Sequence, residues 1–108
     1  MNQKVVIVNG DFIVCASSMD FNDYVYDAGQ VAFLKASRND LMGGIMYANQ
    51  PINLEIAKGM VAAHLKKLVF SGEVEGVEQA AALQLLESNE IEIVRNDDNF
   101  FWRNDYGN

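Results

Sequence analysis

The sequence is poor in the residues that build disulfides and metal sites, with one cysteine, one histidine and one proline among 108 residues. One cysteine cannot form an internal disulfide, so a disulfide-stabilised secreted scaffold is excluded. One cysteine and one histidine cannot make a zinc site alone. We therefore predict no metal site and no cofactor.

Long hydrophobic runs are absent as well. No stretch approaches the ~20 apolar residues that a membrane span needs. The apolar run 5–8 is shorter than the ~7–15 residues at the centre of a signal peptide, and Asn9 and Gly10 interrupt it. We predict a cytoplasmic protein with no membrane partner, in which Cys15 is a buried free thiol.

Half of the residues are hydrophobic, which is normal for a globular protein. The length fits one domain over residues 1–108, with residues 104–108 as a loose tail. Near the N-terminus, two β-rich runs flank Asn9-Gly10, a strong hairpin signal because both turn residues accept positive φ. We predict that Val8 pairs with Asp11, which leaves apolar side chains on both faces of the hairpin.

The remaining elements alternate between helix and strand signals. Residues 20–36 combine helical spacing with strand-like composition, so both remain open, with helix favoured over part of the range. A strand weakened at Gly43-Gly44 is predicted over 41–49. Two helices are predicted over about 54–69, with Asn53 as N-cap, and over about 73–88. Residues 90–94 and 100–103 then predict a second hairpin.

The predicted fold class is therefore α+β: an N-terminal β-hairpin, a middle strand, a helical hairpin and a C-terminal β-hairpin around one core. The order of the last elements also resembles a winged helix-turn-helix. However, the second helix carries four glutamates and no lysine or arginine. Nucleic-acid binding requires cations on the contact surface, so this pattern argues against a nucleic-acid partner.

Negative charge is concentrated in one part of the chain. Residues 73–98 carry eight carboxylates and one cation, Arg95, so their excess equals the whole chain's net charge of -7. Such a surface either aids solubility or docks a basic partner. Aromatic residues follow at 100–102, and the sequence leaves open whether they are core or interface. The predicted partner-binding residues are Glu73, Glu75, Glu78, Asp97, Asp98, Phe101 and Trp102.

No catalytic residue is predicted. His64 lies near the apolar face of the first predicted helix, which favours a structural histidine. Cys15 has no cationic neighbour in sequence to lower its pKa, which argues against a Cys-His enzyme.

The sequence therefore predicts a small acidic protein-binding module and not an enzyme. Its partner is expected to be a protein with a basic surface. An inhibitor or immunity-type protein of bacterial or phage origin, which occupies a partner's surface, fits this description. Two alternatives remain: a structural or self-associating subunit that forms a homo-oligomer, and a small-ligand or enzymatic domain with a pocket around His64, Tyr24 and Tyr26.

Overall fold

The computed structural model describes residues 3–19 and 28–97, which contain five strands and four helices. The strands form one mixed sheet of order β2-β1-β3-β4-β5. Strand β1 is antiparallel to β2 and β3, whereas β3, β4 and β5 run parallel. The predicted α+β class is confirmed. The elements are β1 (Gln3–Asn9), β2 (Phe12–Met19), α1 (Ala28–Lys35), α2 (Arg38–Leu41), β3 (Ile45–Ala48), α3 (Leu54–Ala63), β4 (Lys67–Phe70), α4 (Val77–Ser88) and β5 (Glu92–Arg95).

All four helices contribute to a core on one face of the sheet. Alternate strand residues point into it, because successive side chains in a strand lie on opposite faces. The opposite face carries a row of residues that are paired across four strands, Val6, Tyr47, Val69 and Val94. Val6 is only 1% exposed, so β1 buries side chains on both of its faces. The strand and helix residues of the core include Val5, Ile7, Met46, Ala48, Leu68, Phe70, Ala32, Leu41, Ile56, Met60 and Leu86.

The predicted N-terminal hairpin is present, but its register differs. Asn9 pairs with Phe12, so the turn consists of Gly10 and Asp11, and a bulge between Ile7 and Val8 shifts the pairing further. The physical reason lies in the Asn9 side chain, whose Nδ2 donates to the carbonyls of Asp40 and Met42 at 2.9 Å each. These bonds hold Asn9 as the last residue of a strand. Beyond the bulge, Ile7 pairs with Cys15, which places the thiol in the core.

The predicted helix over 54–69 is correct only in its first part. Helix α3 ends at Ala63, and His64 adopts the left-handed conformation with φ 59. The amide of Leu65 donates to the Met60 carbonyl and that of His64 to the Val61 carbonyl, the two bonds of a Schellman motif. The chain then forms β4, a central strand between β3 and β5. Two helices separated by a strand are not the predicted helical hairpin and exclude a helix-turn-helix here.

The boundaries of the other elements also differ from the predictions. Helix α1 begins at Ala28, within the ambiguous range, and residues 20–27 lie outside the described part. A short helix, α2, ends at Leu41, where the strand predicted over 41–49 would begin, and β3 starts only at Ile45. Helix α4 begins at Val77, after Gly76, so Glu73 and Glu75 precede it. Strand β5 pairs with β4, and the second strand predicted at 100–103 lies outside the described residues, as does the tail at 104–108.

None of the helices within residues 3–19 and 28–97 has the length and apolar character needed to cross a bilayer.

Candidate functional site

The parallel strands β3, β4 and β5 end at the same side of the sheet. We call this side the carboxyl edge and define it by the residues that follow these strands: Asn49, Gln50 and Pro51, then Ser71 and Gly72, then Asn96 and Asp97. In open sheets with parallel strands, ligands bind beyond the carboxyl ends at the point where strand connectivity changes direction. That change occurs here between β3 and its antiparallel neighbour β1.

Asn49 ties the carboxyl edge to β1 and β4. Its side-chain Oδ1 accepts a hydrogen bond from the backbone amide of Lys4 at 2.8 Å. The backbone amide of Asn49 donates to the Lys4 carbonyl at 3.1 Å. The buried hydroxyl of Ser71 donates to the Asn49 carbonyl at 3.0 Å. These bonds fix the loop after β3 against both neighbouring strands.

Asp97 joins the loops that follow β4 and β5. Its Oδ1 accepts from the Gly72 amide at 2.8 Å, and its Oδ2 lies 2.9 Å from Nη2 of Arg95. The amide bond, followed by the bond from Arg95, lowers the pKa of the Asp97 carboxyl. Asp97 therefore holds the carboxyl edge together as an ionised group.

Helices α1 and α3 both begin near this edge. The Ala28 amide donates to Oε1 of Gln3 at 2.7 Å, which ties the start of α1 to β1. Asn53 caps α3 as predicted, with its Oδ1 accepting from the Ile56 amide at 2.8 Å. Pro51 lies against Gly72, where an added Cβ would be 3.1 Å from the proline ring. The edge is thus a closely packed set of strand ends and helix starts.

Within the described ranges 3–19 and 28–97, two buried polar atoms in this region lack a hydrogen-bond partner: Nε2 of Gln50 and Oγ of Ser17. Ser17 pairs with Val5, which in turn pairs with Ala48 at the end of β3. A buried donor without a partner costs about 1–3 kcal/mol. An unpaired buried polar atom in a native structure calls for an explanation. One explanation is that a bound ligand accepts a hydrogen bond from it.

The structure does not gather the predicted partner-binding residues into one site. Glu73, Glu75 and Glu78 are exposed at the approach to α4 and in its first turn. Asp97 is engaged by Gly72 and Arg95 at the carboxyl edge. Asp98, Phe101 and Trp102 lie outside the described residues.

His64 and Cys15 occupy different environments. His64 is exposed, contrary to the predicted structural histidine, because α3 ends before it. It lines a pocket of about 320 Å³ with Lys66 and Glu90, beside the amino ends of β4 and β5. Cys15 is buried, as predicted, and burial raises the pKa of its thiol, while Lys35 has a smaller lowering effect. Tyr24 and Tyr26, which belong with His64 to the pocket of the alternative interpretation as a small-ligand domain, lie outside the described residues.

Comparison with solved structures shows a shared fold. RibD from Acinetobacter baumannii matches with a TM-score of 0.75 at 19% identity, over 86% of this chain and 28% of that chain. The dCMP deaminase of cyanophage S-TIM5, in complex with dCMP and dUMP, matches with a TM-score of 0.73 at 14% identity, over 89% of this chain and 82% of that chain.

A third match is the diaminohydroxyphosphoribosylaminopyrimidine deaminase/5-amino-6-(5-phosphoribosylamino)uracil reductase of Thermotoga maritima. Its TM-score is 0.74 at 13% identity, over 86% of this chain and 29% of that chain. The chain therefore spans less than a third of the length of this protein and of the RibD chain. No family model and no curated protein sequence matches the chain.

These similarities correct the function predicted from the sequence. The fold is one found in deaminases, and thus an enzyme fold. The predictions of a protein-binding inhibitor or immunity-type module, and of a protein that is not an enzyme, are wrong. At these identities the comparison establishes the fold, and the activity must be argued from the residues of this chain.

Zinc-dependent nucleobase deaminases hold their metal with one histidine and two cysteines, or three cysteines, in the signature H-x-E…P-C-x-x-C. The only proline of this chain is Pro51, so the two cysteine positions fall on Ile52 and Glu55. The only histidine, His64, follows Pro51 and is succeeded by Leu65-Lys66. In residues 3–19 and 28–97, no three His, Cys, Asp or Glu side chains are placed to hold a metal ion. The residues present do not fit this zinc centre.

Sequence reasoning missed the carboxyl edge because it missed β4. Without that strand, the parallel order of β3, β4 and β5 was not visible, and the ends of the strands could not be placed together. The available signal was the polar run Asn49-Gln50-Pro51 between a strand and a capped helix.

Proposed function

We propose that this domain binds a small ligand with a pyrimidine base at the carboxyl edge of its sheet. The position follows from the topology, because the edge lies beyond three parallel strands and beside the starts of α1 and α3. Both helices and all three strands hold the edge in place, so a ligand there would meet a preformed surface.

The observation that carries the proposal is the buried, unpaired Nε2 of Gln50. The neighbouring amides are already engaged, since Oδ1 of Asn49 accepts from Lys4 and Oδ1 of Asn53 accepts from Ile56. These two residues build the edge, whereas Gln50 retains a donor for a ligand. The unpaired donor destabilises the free protein, so a ligand acceptor that pairs with it removes that cost. Because Nε2 is buried, this pairing requires the Gln50 side chain to turn towards the edge.

A pyrimidine supplies acceptors of the required kind. Its ring carbonyl and ring nitrogen atoms accept hydrogen bonds from amide donors, as base edges do from glutamine and asparagine. Two of the matching structures are named for reactions on aminopyrimidines, and one of these holds dCMP and dUMP. On this basis we propose that the ligand of this chain also contains a pyrimidine base.

The test is a titration of the full chain by calorimetry or NMR with dCMP, dUMP and deoxyribose 5-phosphate. We expect dCMP or dUMP to bind and the sugar phosphate, which lacks the base, to bind at least about tenfold more weakly, a difference of ~1.4 kcal/mol. Equal binding of the sugar phosphate would overturn recognition of the base. No binding of either nucleotide would overturn the proposal as a whole.

The role of the unpaired Gln50 donor is tested by Gln50→Met, which keeps the length of the side chain and removes the donor. We expect nucleotide binding about tenfold weaker than in the natural chain. The matched control is Gln84→Met, since Gln84 is exposed on α4. Unchanged binding in Q50M would exclude Gln50 as the contact.

Absorbance of the cytosine ring during the dCMP titration reports whether the bound base is also deaminated.

Self-association remains a separate proposal, supported by the edge strand β2. Phe12 is 76% exposed and Ile13 48% exposed at the start of this strand. Exposed apolar side chains on an edge strand favour pairing with another chain. Light scattering of the natural chain and of Phe12→Ser tests self-association. We expect a dimer or larger species that F12S weakens, and a strict monomer contradicts the proposal.

We also propose a cytoplasmic location, which fractionation of the host cell tests.

A further inference from the structure

The first turn of α3 and the residue before its N-cap are the part of the chain that would carry the cysteines of a deaminase zinc signature. The two positions are Ile52 and Glu55. Ile52 is 1% exposed and belongs to the apolar core. Glu55 is exposed and forms an ion pair with Lys58 at 3.5 Å. The two positions thus lie in opposite environments, whereas zinc ligands must converge on one point.

The junction between α1 and α3 is filled by hydrocarbon. A Cβ added at Gly29, in the first turn of α1, would lie 2.7 Å from Cγ1 and 2.8 Å from Cδ1 of Ile56. Ile56 itself is fully buried. A contact this close leaves no room for a side chain at position 29, and so none for a ligating or proton-transferring group there.

We infer that this chain has a deaminase-like fold without a metal centre, and that packing of Ile56 against Gly29 holds the α1–α3 junction, with Ile52 buried in the same core. Structural zinc sites contribute folding free energy directly, and chelators unfold domains that depend on them. In this chain, buried hydrocarbon stabilises the junction instead. The inference is independent of the proposed pyrimidine ligand, because it concerns metal content and packing only.

The first experiment measures metal in the full chain, produced without a histidine tag in zinc-supplemented medium and purified without chelator. Elemental analysis should find fewer than about one zinc per ten chains, and the melting temperature should be the same with added zinc and with EDTA. One zinc per chain that survives dialysis would overturn the inference. So would a melting temperature that falls with EDTA.

The second experiment tests the packing with a double-mutant cycle of Gly29→Ala and Ile56→Ala. Alanine at position 29 should lower the melting temperature of the natural chain, because the added methyl meets Ile56. In the I56A background, the same change should have little effect, since the obstructing atoms are gone. An equal effect of G29A in both backgrounds would show that Ile56 does not fill the junction. If I56A does not fold, the metal measurement on the natural chain still decides the inference.

Discussion

Helices α3 and α4 end in the same motif without the glycine that usually forms it, which predicts two stabilising substitutions. His64 and Glu90 have φ of 59 and 60 and are the only residues other than glycine with positive φ in the described ranges 3–19 and 28–97. After α4, the Glu90 amide donates to the Glu87 carbonyl and the Ile91 amide to the Leu86 carbonyl, as at the end of α3. The buried residues Leu65 and Ile91 follow these positions directly.

The expected gain follows from two opposing terms. A side chain in the left-handed region costs about 1–2 kcal/mol. Glycine removes that cost but loses about 0.4–1 kcal/mol more backbone entropy on folding. Each of His64→Gly and Glu90→Gly should therefore raise the free energy of unfolding by about 0.5–1 kcal/mol. For a domain of this size, one such substitution should raise the melting temperature by about 2–8 °C.

Calorimetry or circular dichroism of the single and double variants measures the effect. The matched controls are His64→Ala and Glu90→Ala, which remove the same side chains but keep the cost of the left-handed conformation. They should change stability by less than about 0.5 kcal/mol. The two residues line one pocket, so their effects need not add. If the glycine variants are no more stable than the alanine variants, the left-handed helix ends are not a source of strain.

Three further predictions concern Asp97, Cys15 and the core. Because the folded-state pKa of Asp97 is lowered, its contribution to stability is present above the unfolded pKa of ~3.9 and is lost as pH falls through the folded pKa. Asp97→Asn should therefore melt below the natural chain at neutral pH, and the difference should shrink on acidification; a difference that does not depend on pH would contradict this. Burial of Cys15 should make it react much more slowly with a thiol reagent in the native chain than in denaturant, and equal rates would refute this. Leu86→Ala should lower the free energy of unfolding by about 2–5 kcal/mol, because Leu86 is fully buried. Leu83→Ala should lower it less, because Leu83 is only partly buried, and denaturant unfolding of both variants measures the difference.

The sequence predicted elements whose signals are local. The N-terminal hairpin, with Gly10-Asp11 as its turn, and the Asn53 cap of α3 are present because turn and cap residues act within a few positions. The end of α3 was not predictable in this way, since the residue in the left-handed conformation is a histidine and Leu65 and Leu68 continue the helical spacing. Both leucines are buried, as they would be on the apolar face of a longer helix, but Leu65 follows the helix cap and Leu68 lies in β4.

That one boundary accounts for the failure to find the site. With residues 67–69 assigned to the end of a helix, the predicted order is a hairpin, a middle strand, two helices and a second hairpin, with no parallel strands. Assigning them to β4 instead creates two successive strand–helix–strand units, β3-α3-β4 and β4-α4-β5. Only then do Asn49, Ser71 and Asp97 come together at one edge. The candidate site therefore depends on a strand that is hard to recognise in the sequence, because its buried Leu68 follows the buried Leu65 at helical spacing.

A chain can have this fold without the residues of the zinc signature, because the two depend on different parts of the sequence. Burial alternates along β3 and β4, and the core draws on residues of all four helices. The P-C-x-x-C part of the signature, in contrast, concerns two positions around the start of α3, which are Ile52 and Glu55 in this chain. Ile52 is buried and Ile56 packs on Gly29, so this region is a continuation of the core. The carboxyl edge does not depend on these positions, because its hydrogen bonds, which involve Asn49, Ser71 and Asp97, belong to the strand ends.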